Sequence, residues 1–274
     1  MLPTTVAPRS RTRTLAQQAN RHEYYERSVQ TPDVDAQFLD RTFRRLRRRR
    51  AHVLREDFCG TAALCAEWVK RHREHRAYGI DLCEKTLNYG IQQHLVPLGE
   101  RAARVHLLRC DVRQPVDFRA DIACAFNFSY FAFKQRHVLL DYFRAVRDSL
   151  ADDGVFFLDI FGGPESMDLR EERTEHDEFT YVWDQDQFNP ITHEMRCYIH
   201  FEFPDGSALR RAFRYEWRLW QIPEIEDIVR EAGYRDFIVY WEGTDADGDG
   251  NGVFRPSRKG DDAEAFIAYL VCVK

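Results

Sequence analysis

The sequence predicts an α/β protein built on an open, mostly parallel β-sheet with helices on both faces. Short apolar runs alternate with amphipathic helical segments between residues 51 and 161, and this alternation is typical of parallel sheets. Two later apolar runs, at 236–241 and 265–273, bring the predicted sheet to seven strands. Between these parts, residues 162–221 show strict polar and apolar alternation around an Asp205-Gly206 turn, which predicts an inserted antiparallel β hairpin.

The predicted elements divide the chain into four parts. Residues 1–50 form an N-terminal tail and a helical cap, with helix over His22–Arg50 that is broken near Thr31-Pro32. Residues 51–161 form the core, 162–221 the inserted antiparallel part, and 222–274 complete the core sheet. The predicted sheet strands cover residues 51–56, 77–81, 105–108, 121–126, 155–161, 236–241 and 265–273. The predicted helices cover 61–71, 136–150 and 223–233, and a further helix carries Leu87, Ile91, Leu95 and Leu98 on one face. Residues 243–260 form a predicted loop.

Composition narrows the class of protein. A net charge of −5 does not indicate general binding to nucleic acids. The sequence has no apolar run of membrane-spanning length and no Cys-x-x-Cys pair among its seven cysteines, so we expect a cytoplasmic protein with reduced thiols and no membrane contact. The basic run Arg44–Arg50 is typical of a solvated helix end, with an RNA grip as the alternative. Asp245-x-Asp247-x-Asp249 imitates a calcium loop, but Pro256 replaces the required Glu, so we expect no metal.

Polar residues follow the predicted strands where these strands end. Glu56 ends the first strand, Asp81 the second and Asp111 the third, and Asn127–Tyr130 follows the fourth. Ligands of open parallel sheets bind beyond the carboxyl ends of the strands. Acids in place of basic phosphate clamps favour a nucleoside without a phosphate chain, with Asp81 accepting from the ribose hydroxyls and Asp111 from an adenine amino group.

This layout resembles the class I S-adenosylmethionine-dependent methyltransferases. The run Glu56-Asp57-Phe58-Cys59-Gly60-Thr61-Ala62 is similar to the acidic-x-Gly-x-Gly-x-Gly turn of that family, with Phe58 and Ala62 in place of the first and third glycines. The resemblance covers roughly residues 51–161 and 222–274 and implies a Rossmann-like fold with S-adenosylmethionine as the cofactor. The cofactor-binding residues that we predict are Tyr25, Arg55, Glu56, Phe58, Gly60, Asp81, Leu82, Asp111, Val112, Asn127, Phe128 and Ser129.

Several side chains have a more specific predicted role. The aromatic face of Tyr25 can stabilise a sulfonium charge, and the alternative is a structural, half-buried tyrosine. Arg55 can bind the methionine carboxylate bidentately, and the alternative is an ion pair with a neighbouring acid. Tyr130, His193 and His200 are the candidate proton acceptors, with structural roles as the alternative. The inserted hairpin is either a lid over the acceptor or a support packed against the sheet.

The predicted function is methyl transfer from S-adenosylmethionine to an N or O nucleophile of a small molecule. Insertions after the fifth strand are common among small-molecule members of the family, and this favours a small acceptor. An RNA or protein methyltransferase that uses the Arg44–Arg50 run, and a non-catalytic cofactor-binding protein, are the alternatives. A plain nucleotide-type sheet explains the four strand ends less well, and a dehydrogenase is disfavoured because the dinucleotide fingerprint is incomplete. A homodimer is a further alternative to a single chain.

Overall fold

A computed structural model describes residues 13–245 and 250–274. Most of the predicted N-terminal tail, and Asp247 and Asp249 of the calcium-like loop, lie outside the described residues. No helix within the described ranges is long and apolar enough to cross a membrane.

The central sheet has eight strands in the order β11-β10-β12-β5-β4-β1-β2-β3. Its strands are β1 Val53–Asp57, β2 Arg76–Ile80, β3 Val105–Leu108, β4 Ala120–Ala125, β5 Leu150–Gly162, β10 Asp236–Thr244, β11 Gly250–Ser257 and β12 Phe266–Val273. Strands β1 to β5 pair in parallel, whereas β12 runs antiparallel between β5 and β10. The predicted mostly parallel α/β fold is therefore confirmed.

The eighth strand is the one that the sequence pattern does not predict. β11 pairs antiparallel with β10 at the edge of the sheet and lies within the segment that we predicted to be a loop. Its residues are glycine-rich and mostly exposed, with only Phe254 and Ser257 partly buried. An edge strand with no buried face shows little apolar alternation, which explains why the pattern predicts a loop there.

Helices cover both faces of this sheet because their apolar stripes need a buried surface. One face carries α3 Pro32–Arg47 and α4 Ala63–Arg71, which pack Phe43 and Trp68 into the core. The other carries α6 Arg136–Ser149 and α7 Ile222–Glu231, which bury Phe143 and Ile228. Helix α5 Glu84–Gly90 continues into a π-helical turn, Ile91–Leu95, and a 3-10 segment, Val96–Arg104. Phe128 precedes a short 3-10 turn, Ser129–Ala132, and a second such turn spans Pro164–Met167.

The N-terminal helices are α1 Leu15–Gln18 and α2 Arg21–Val29, followed by α3. The predicted break near Thr31-Pro32 is present because Pro32 is the first residue of α3, where its missing N–H leaves no bond unmade. Helix α2 has no fully buried residue. It is held by partly buried side chains, among them Tyr24 and Tyr25, which pack against the apolar cluster of the inserted part.

The inserted part is a four-stranded antiparallel sheet rather than a single hairpin. Its strands are β6 Glu171–His176, β7 Phe179–Phe188, β8 Glu194–Glu202 and β9 Ala208–Arg218, in sequential order. The predicted Asp205-Gly206 turn joins β8 to β9, and Gly206 has a φ of 78°. The added strand β6 is exposed along most of its length, so it lacks the apolar alternation that identifies the other three.

Candidate functional site

The loop after β1 has a left-handed backbone at alternate positions. Phe58, Gly60 and Ala62 have φ values of 55°, 54° and 59°, and these are the three positions where the resemblance expects glycine. For Phe and Ala this conformation costs roughly 1–2 kcal/mol per residue. The chain thus keeps the backbone of a glycine-rich turn with two non-glycine residues in it, and this backbone strain is concentrated at one strand end.

Asp81, at the end of β2, holds this turn with one oxygen atom. Its Oδ2 accepts a hydrogen bond from the Gly60 backbone N–H at 3.0 Å, and its Oδ1 accepts from the Cys83 N–H at 2.7 Å. The side chain remains partly exposed, so the remaining lone pairs of the carboxylate can accept from a ligand hydroxyl. Leu82, predicted beside it, is 67% exposed.

Alternation along β1 separates Glu56 from Arg55. Glu56 faces α4 and accepts from the Cys65 N–H at 3.0 Å, and burial raises the pKa of Glu56 to about 8. Arg55 faces α6, where it is fully buried and donates to Asp57 at 2.8 Å and to Ser149 at 2.8 Å. The prediction that Arg55 binds a ligand carboxylate is therefore wrong, because its guanidinium is enclosed and already paired.

The segment after β4 is the second strained turn at this edge. Asn127 and Phe128 are consecutive residues with φ values of 55° and 56°. Their backbone N–H groups donate to Asp159 of β5, at 2.7 Å and 2.9 Å. Burial raises the pKa of Asp159 to about 7. One buried carboxylate therefore fixes the turn that carries Asn127 into the site.

Asp111 and its neighbours are engaged within the protein. Arg113 donates to both oxygens of Asp111, at 2.9 Å and 2.6 Å, and this pairing holds the pKa of Asp111 below its ordinary value. The Val112 carbonyl accepts from Arg55 at 2.6 Å. The Ser129 hydroxyl donates to the Phe126 carbonyl at 2.8 Å. Asp111 lies at the carboxyl edge of the sheet, as predicted, and both of its carboxylate oxygens accept hydrogen bonds from Arg113.

Helix α2 lies across these strand ends. The Thr61 hydroxyl of the turn donates to Glu26 at 2.5 Å, and His94 contacts the same Glu26 oxygen at 2.8 Å. On the same helix, the His22 ring packs against Tyr89 with ring centroids 5.1 Å apart. Tyr25 turns the other way, towards the antiparallel sheet, and burial raises its pKa to about 12. Helix α2 thus bridges the strand-end turn and the inserted sheet.

A cavity of about 400 Å³ lies between the inserted sheet and the edge of the central sheet. Tyr25 of α2 and the strained pair Asn127 and Phe128 form one side of it. The opposite side is made by alternate residues of the inserted sheet, namely Tyr181, Trp183, Gln185, Ile199, Tyr215 and Trp217. The inserted sheet therefore forms a wall of a ligand-sized space next to the predicted cofactor edge.

The structure brings none of the three candidate proton acceptors into this cavity. Tyr130 is fully buried in the core beneath the sheet. His200 follows the lining residue Ile199, so it faces the other side of β8, where it contacts Asp184 at 3.1 Å. His193 lies in the turn between β7 and β8, and its carbonyl accepts from the Leu219 N–H at 2.8 Å. The expectation that one of them accepts a proton from the acceptor is thus corrected by their positions.

The basic run lies at the opposite edge of the sheet. Arg49 donates to Asp121 at 2.7 Å and to Asp153 at 2.6 Å, and Asp121 is near the start of β4. Arg47 contacts the carbonyl oxygen of Gly154 at 3.4 Å. The run therefore pairs with the amino ends of the strands, whereas the site is at their carboxyl ends.

Two residues of the candidate site, Asp159 and Glu26, were not predicted from the sequence. Asp159 is the one acid within the apolar run Val155–Phe161, and an isolated acid in a buried strand signals a specific partner. Glu26 gives no periodic signal, because its partner Thr61 is 35 residues away.

Known proteins resemble this chain in structure but not detectably in sequence. No model of a protein family matches this sequence, and no curated protein matches it either. A methyltransferase from Clostridium acetobutylicum, described as S-adenosylmethionine-dependent, superimposes with a TM-score of 0.68 at 17% identity, covering 92% of this chain and 96% of its own. The chain has the fold of S-adenosylmethionine-dependent methyltransferases.

Two further solved structures share this methyltransferase fold. CalS10 from Micromonospora echinaspora, an amino pentose methyltransferase in S-adenosylmethionine-bound form, matches with a TM-score of 0.64 at 16% identity, over 92% of this chain and 94% of its own. KedS8 from Streptoalloteichus, a sugar N-methyltransferase, matches with a TM-score of 0.63 at 15% identity, over 100% of this chain and 98% of its own. The match extends over the whole length, so it includes the inserted sheet as well as the central one.

Proposed function

We propose that this protein is an S-adenosylmethionine-dependent methyltransferase that transfers a methyl group to an N or O nucleophile of a small molecule. The observation that carries the proposal is a juxtaposition. The strained turn after β1, with Asp81 beside it, lies at the same edge as the Asn127 turn, and an aromatic cavity opens there. The structural relatives that bind this cofactor support the identity of the donor.

The residues at the strand ends fit a nucleoside that carries a cation. Asp81 is partly exposed and can accept from ribose hydroxyls. Glu56 and Asp159 are buried carboxyl groups on strands that end at this edge, and an amino or sulfonium cation bound there would favour their ionised forms. The Gly60 backbone admits close approach, because a Cβ atom there would meet only Thr86, at 4.0 Å.

S-adenosylmethionine, when bound, supplies an electrophilic methyl group on a sulfonium. The protein's own contribution is to align and desolvate the two partners, and alignment alone is worth about 7–11 kcal/mol. In this chain Asp81 and the Gly60 turn orient the nucleoside. Tyr25 and the Asn127 turn line the cavity beside the strand ends, where they would position the transferred group.

The test is calorimetric titration of the full chain with S-adenosylmethionine. We expect saturable binding that Asp81→Ala weakens at least tenfold. Asp148→Ala is the matched control, because Asp148 is 79% exposed near the end of α6 and lies at the amino edge of the sheet. Absence of binding to the unaltered protein, or equal weakening by both variants, would refute the proposal.

A further inference from the structure

The walls of the cavity are made of aromatic rings. Trp183, Tyr215 and Trp217 contact one another on the inserted sheet, with ring centroids 4.4 Å apart for Tyr215 and Trp217 and 5.8 Å apart for Trp183 and Tyr215. Phe128 and Phe161 close the opposite side, each with its centroid about 6.4 Å or less from Trp217. Ring faces grouped in this way attract a cation through their quadrupoles.

The charged side chains that line the cavity are all acidic. They are Glu165, Glu172 and Glu242, and none of the described residues lining the cavity is Lys, Arg or His. Arg170, outside the lining, pairs with Glu165 and also lies 3.3 Å from Glu172. One arginine among three carboxylates leaves a net negative charge around the cavity.

From these two observations we infer that the cavity binds its acceptor as an organic ammonium ion. This ion gives up one proton to a lining glutamate or to water, and the neutral amine nitrogen then forms its bond to the methyl carbon as the sulfonium S–C bond breaks and S-adenosylhomocysteine leaves. The inference rests on the proposed function for the role of acceptor, but the cation binding stands on the cavity alone. Aromatic faces and excess carboxylates both stabilise a positive charge, and both disfavour an anion. Its volume of about 400 Å³ suits a compact small-molecule ligand.

An oxygen acceptor fits the same walls less well. A carboxylate or phenolate would be repelled by the three glutamates, and a neutral hydroxyl would gain only apolar contact. A neutral hydroxyl is also a far weaker acid than an ammonium ion, so it needs a stronger base to become nucleophilic, and the candidate bases Tyr130, His193 and His200 all lie away from the lining. These differences separate the amine from the other nucleophiles that the proposed function includes.

The experiment measures binding of three probes of one shape to the full chain without cofactor. Cyclohexylamine carries a positive charge at neutral pH, cyclohexanol is neutral, and cyclohexanecarboxylate is negative. Calorimetry gives each dissociation constant, and tryptophan fluorescence reports occupancy because Trp183 and Trp217 line the cavity. We expect cyclohexylamine to bind at least tenfold more tightly than cyclohexanol, and cyclohexanecarboxylate to bind more weakly than both.

A pair of matched double variants locates the charge effect. Glu172→Gln with Glu242→Gln removes two lining carboxylates, and should weaken cyclohexylamine binding several-fold while leaving cyclohexanol unchanged. Glu171→Gln with Glu175→Gln removes two charges from the other face of β6, outside the lining, and should change neither. Equal binding of the three probes, a preference for cyclohexanol or the carboxylate, no binding of cyclohexylamine, or equal effects of the two double variants would overturn the inference.

This outcome is separable from that of the proposed function. Calorimetry with S-adenosylmethionine tests the donor site at Asp81, and none of the four glutamates in the double variants takes part in it. A chain that binds the donor but prefers cyclohexanol refutes only the amine inference. A chain that binds cyclohexylamine but not the donor refutes only the methyltransferase proposal.

Discussion

The hydroxyl group of Thr61 donates a hydrogen bond of 2.5 Å to the carboxylate of Glu26. Thr61 belongs to the turn after β1, and Glu26 belongs to α2, so this bond joins the N-terminal helix to the loop that the cofactor is expected to contact. His94 reaches the same carboxylate oxygen at 2.8 Å. These bonds attach α2 to the turn, while Tyr24 and Tyr25 of the same helix pack against the inserted sheet.

Removing this carboxylate should loosen α2. Glu26→Ala is expected to lower the free energy of unfolding by about 1–2 kcal/mol, as two partly buried charge-assisted bonds are lost, and to weaken S-adenosylmethionine binding. Glu26→Gln keeps an acceptor oxygen for Thr61 and should have a smaller effect. Thermal denaturation and calorimetry give both quantities. Glu23→Ala, on the exposed side of the same helix, is the control, and an equal effect there would contradict the role of Glu26.

Gly90 is the point at which α5 approaches the same turn. A Cβ atom at Gly90 would lie 2.0 Å from the Thr61 carbonyl oxygen, a distance that no packing tolerates. We therefore expect Gly90→Ala to displace the turn, to destabilise the fold by about 1–3 kcal/mol, and to abolish cofactor binding. Asn88→Ala, exposed on the same helix, should leave both unchanged. A Gly90→Ala protein with normal stability and affinity would show that the turn can move freely.

The raised pKa of Glu56 predicts a proton release. Burial raises this pKa from 4.5 to about 8, so the group is largely protonated at neutral pH in the folded chain. A cation bound beside it favours the carboxylate, and S-adenosylmethionine binding near pH 7 should then release a proton and strengthen as the pH rises towards 8. Calorimetry in phosphate and in Tris, whose ionisation enthalpies differ, measures the proton count. Glu56→Gln should abolish the release, whereas Glu67→Gln on α4 should not.

The same pKa has a consequence for stability without ligand. The folded chain binds the Glu56 proton more tightly than the unfolded chain does, so the stabilising contribution is complete below about pH 4.5 and is lost as the pH rises through about 8. Glu56→Gln should therefore flatten the dependence of the melting temperature on pH between these values. A slope that is unchanged in this variant would place the titration elsewhere.

Asp159 should control the order of the Asn127 turn. Asp159→Asn leaves one acceptor oxygen for two backbone N–H groups, so one buried donor loses its partner at a cost of about 1–3 kcal/mol. The amide protons of Asn127 and Phe128 should exchange faster with solvent in this variant, which NMR can measure residue by residue. Asp184→Asn, which changes an acid on the inserted sheet, should leave those amides protected. If the amides of Asn127 and Phe128 stay protected in Asp159→Asn, the turn does not depend on the Asp159 carboxylate and the prediction is wrong.

Local patterning was sufficient to predict most of the central sheet. Strands such as β2 and β5 have apolar runs because both of their faces are buried. The ends of such runs locate the acids that follow, so the positions of Glu56 and Asp81 could be predicted. The pattern fails where burial is one-sided or missing, as in β6 and β11. An exposed edge strand has no periodic signal to detect.

Side-chain roles were harder to predict than strand positions. The one-residue alternation of β1 decides that Glu56 faces α4 and Arg55 faces α6, but the sequence does not tell which helix covers which face. Tyr130 and His200 were plausible by residue type alone, and their burial or orientation removes them from the cavity. Contacts between distant segments, such as Glu26 with Thr61, follow from packing that no local pattern encodes.

Neighbouring residues of α2 contact two different parts of the candidate site. Glu26 bonds the turn after β1, where we propose that the donor binds, while Tyr25 lines the cavity proposed for the acceptor. This nine-residue helix contacts both places, so under the proposed function a shift of α2 caused by one ligand would alter the binding of the other. Thermodynamic reciprocity then requires each ligand to change the affinity for the other by the same factor.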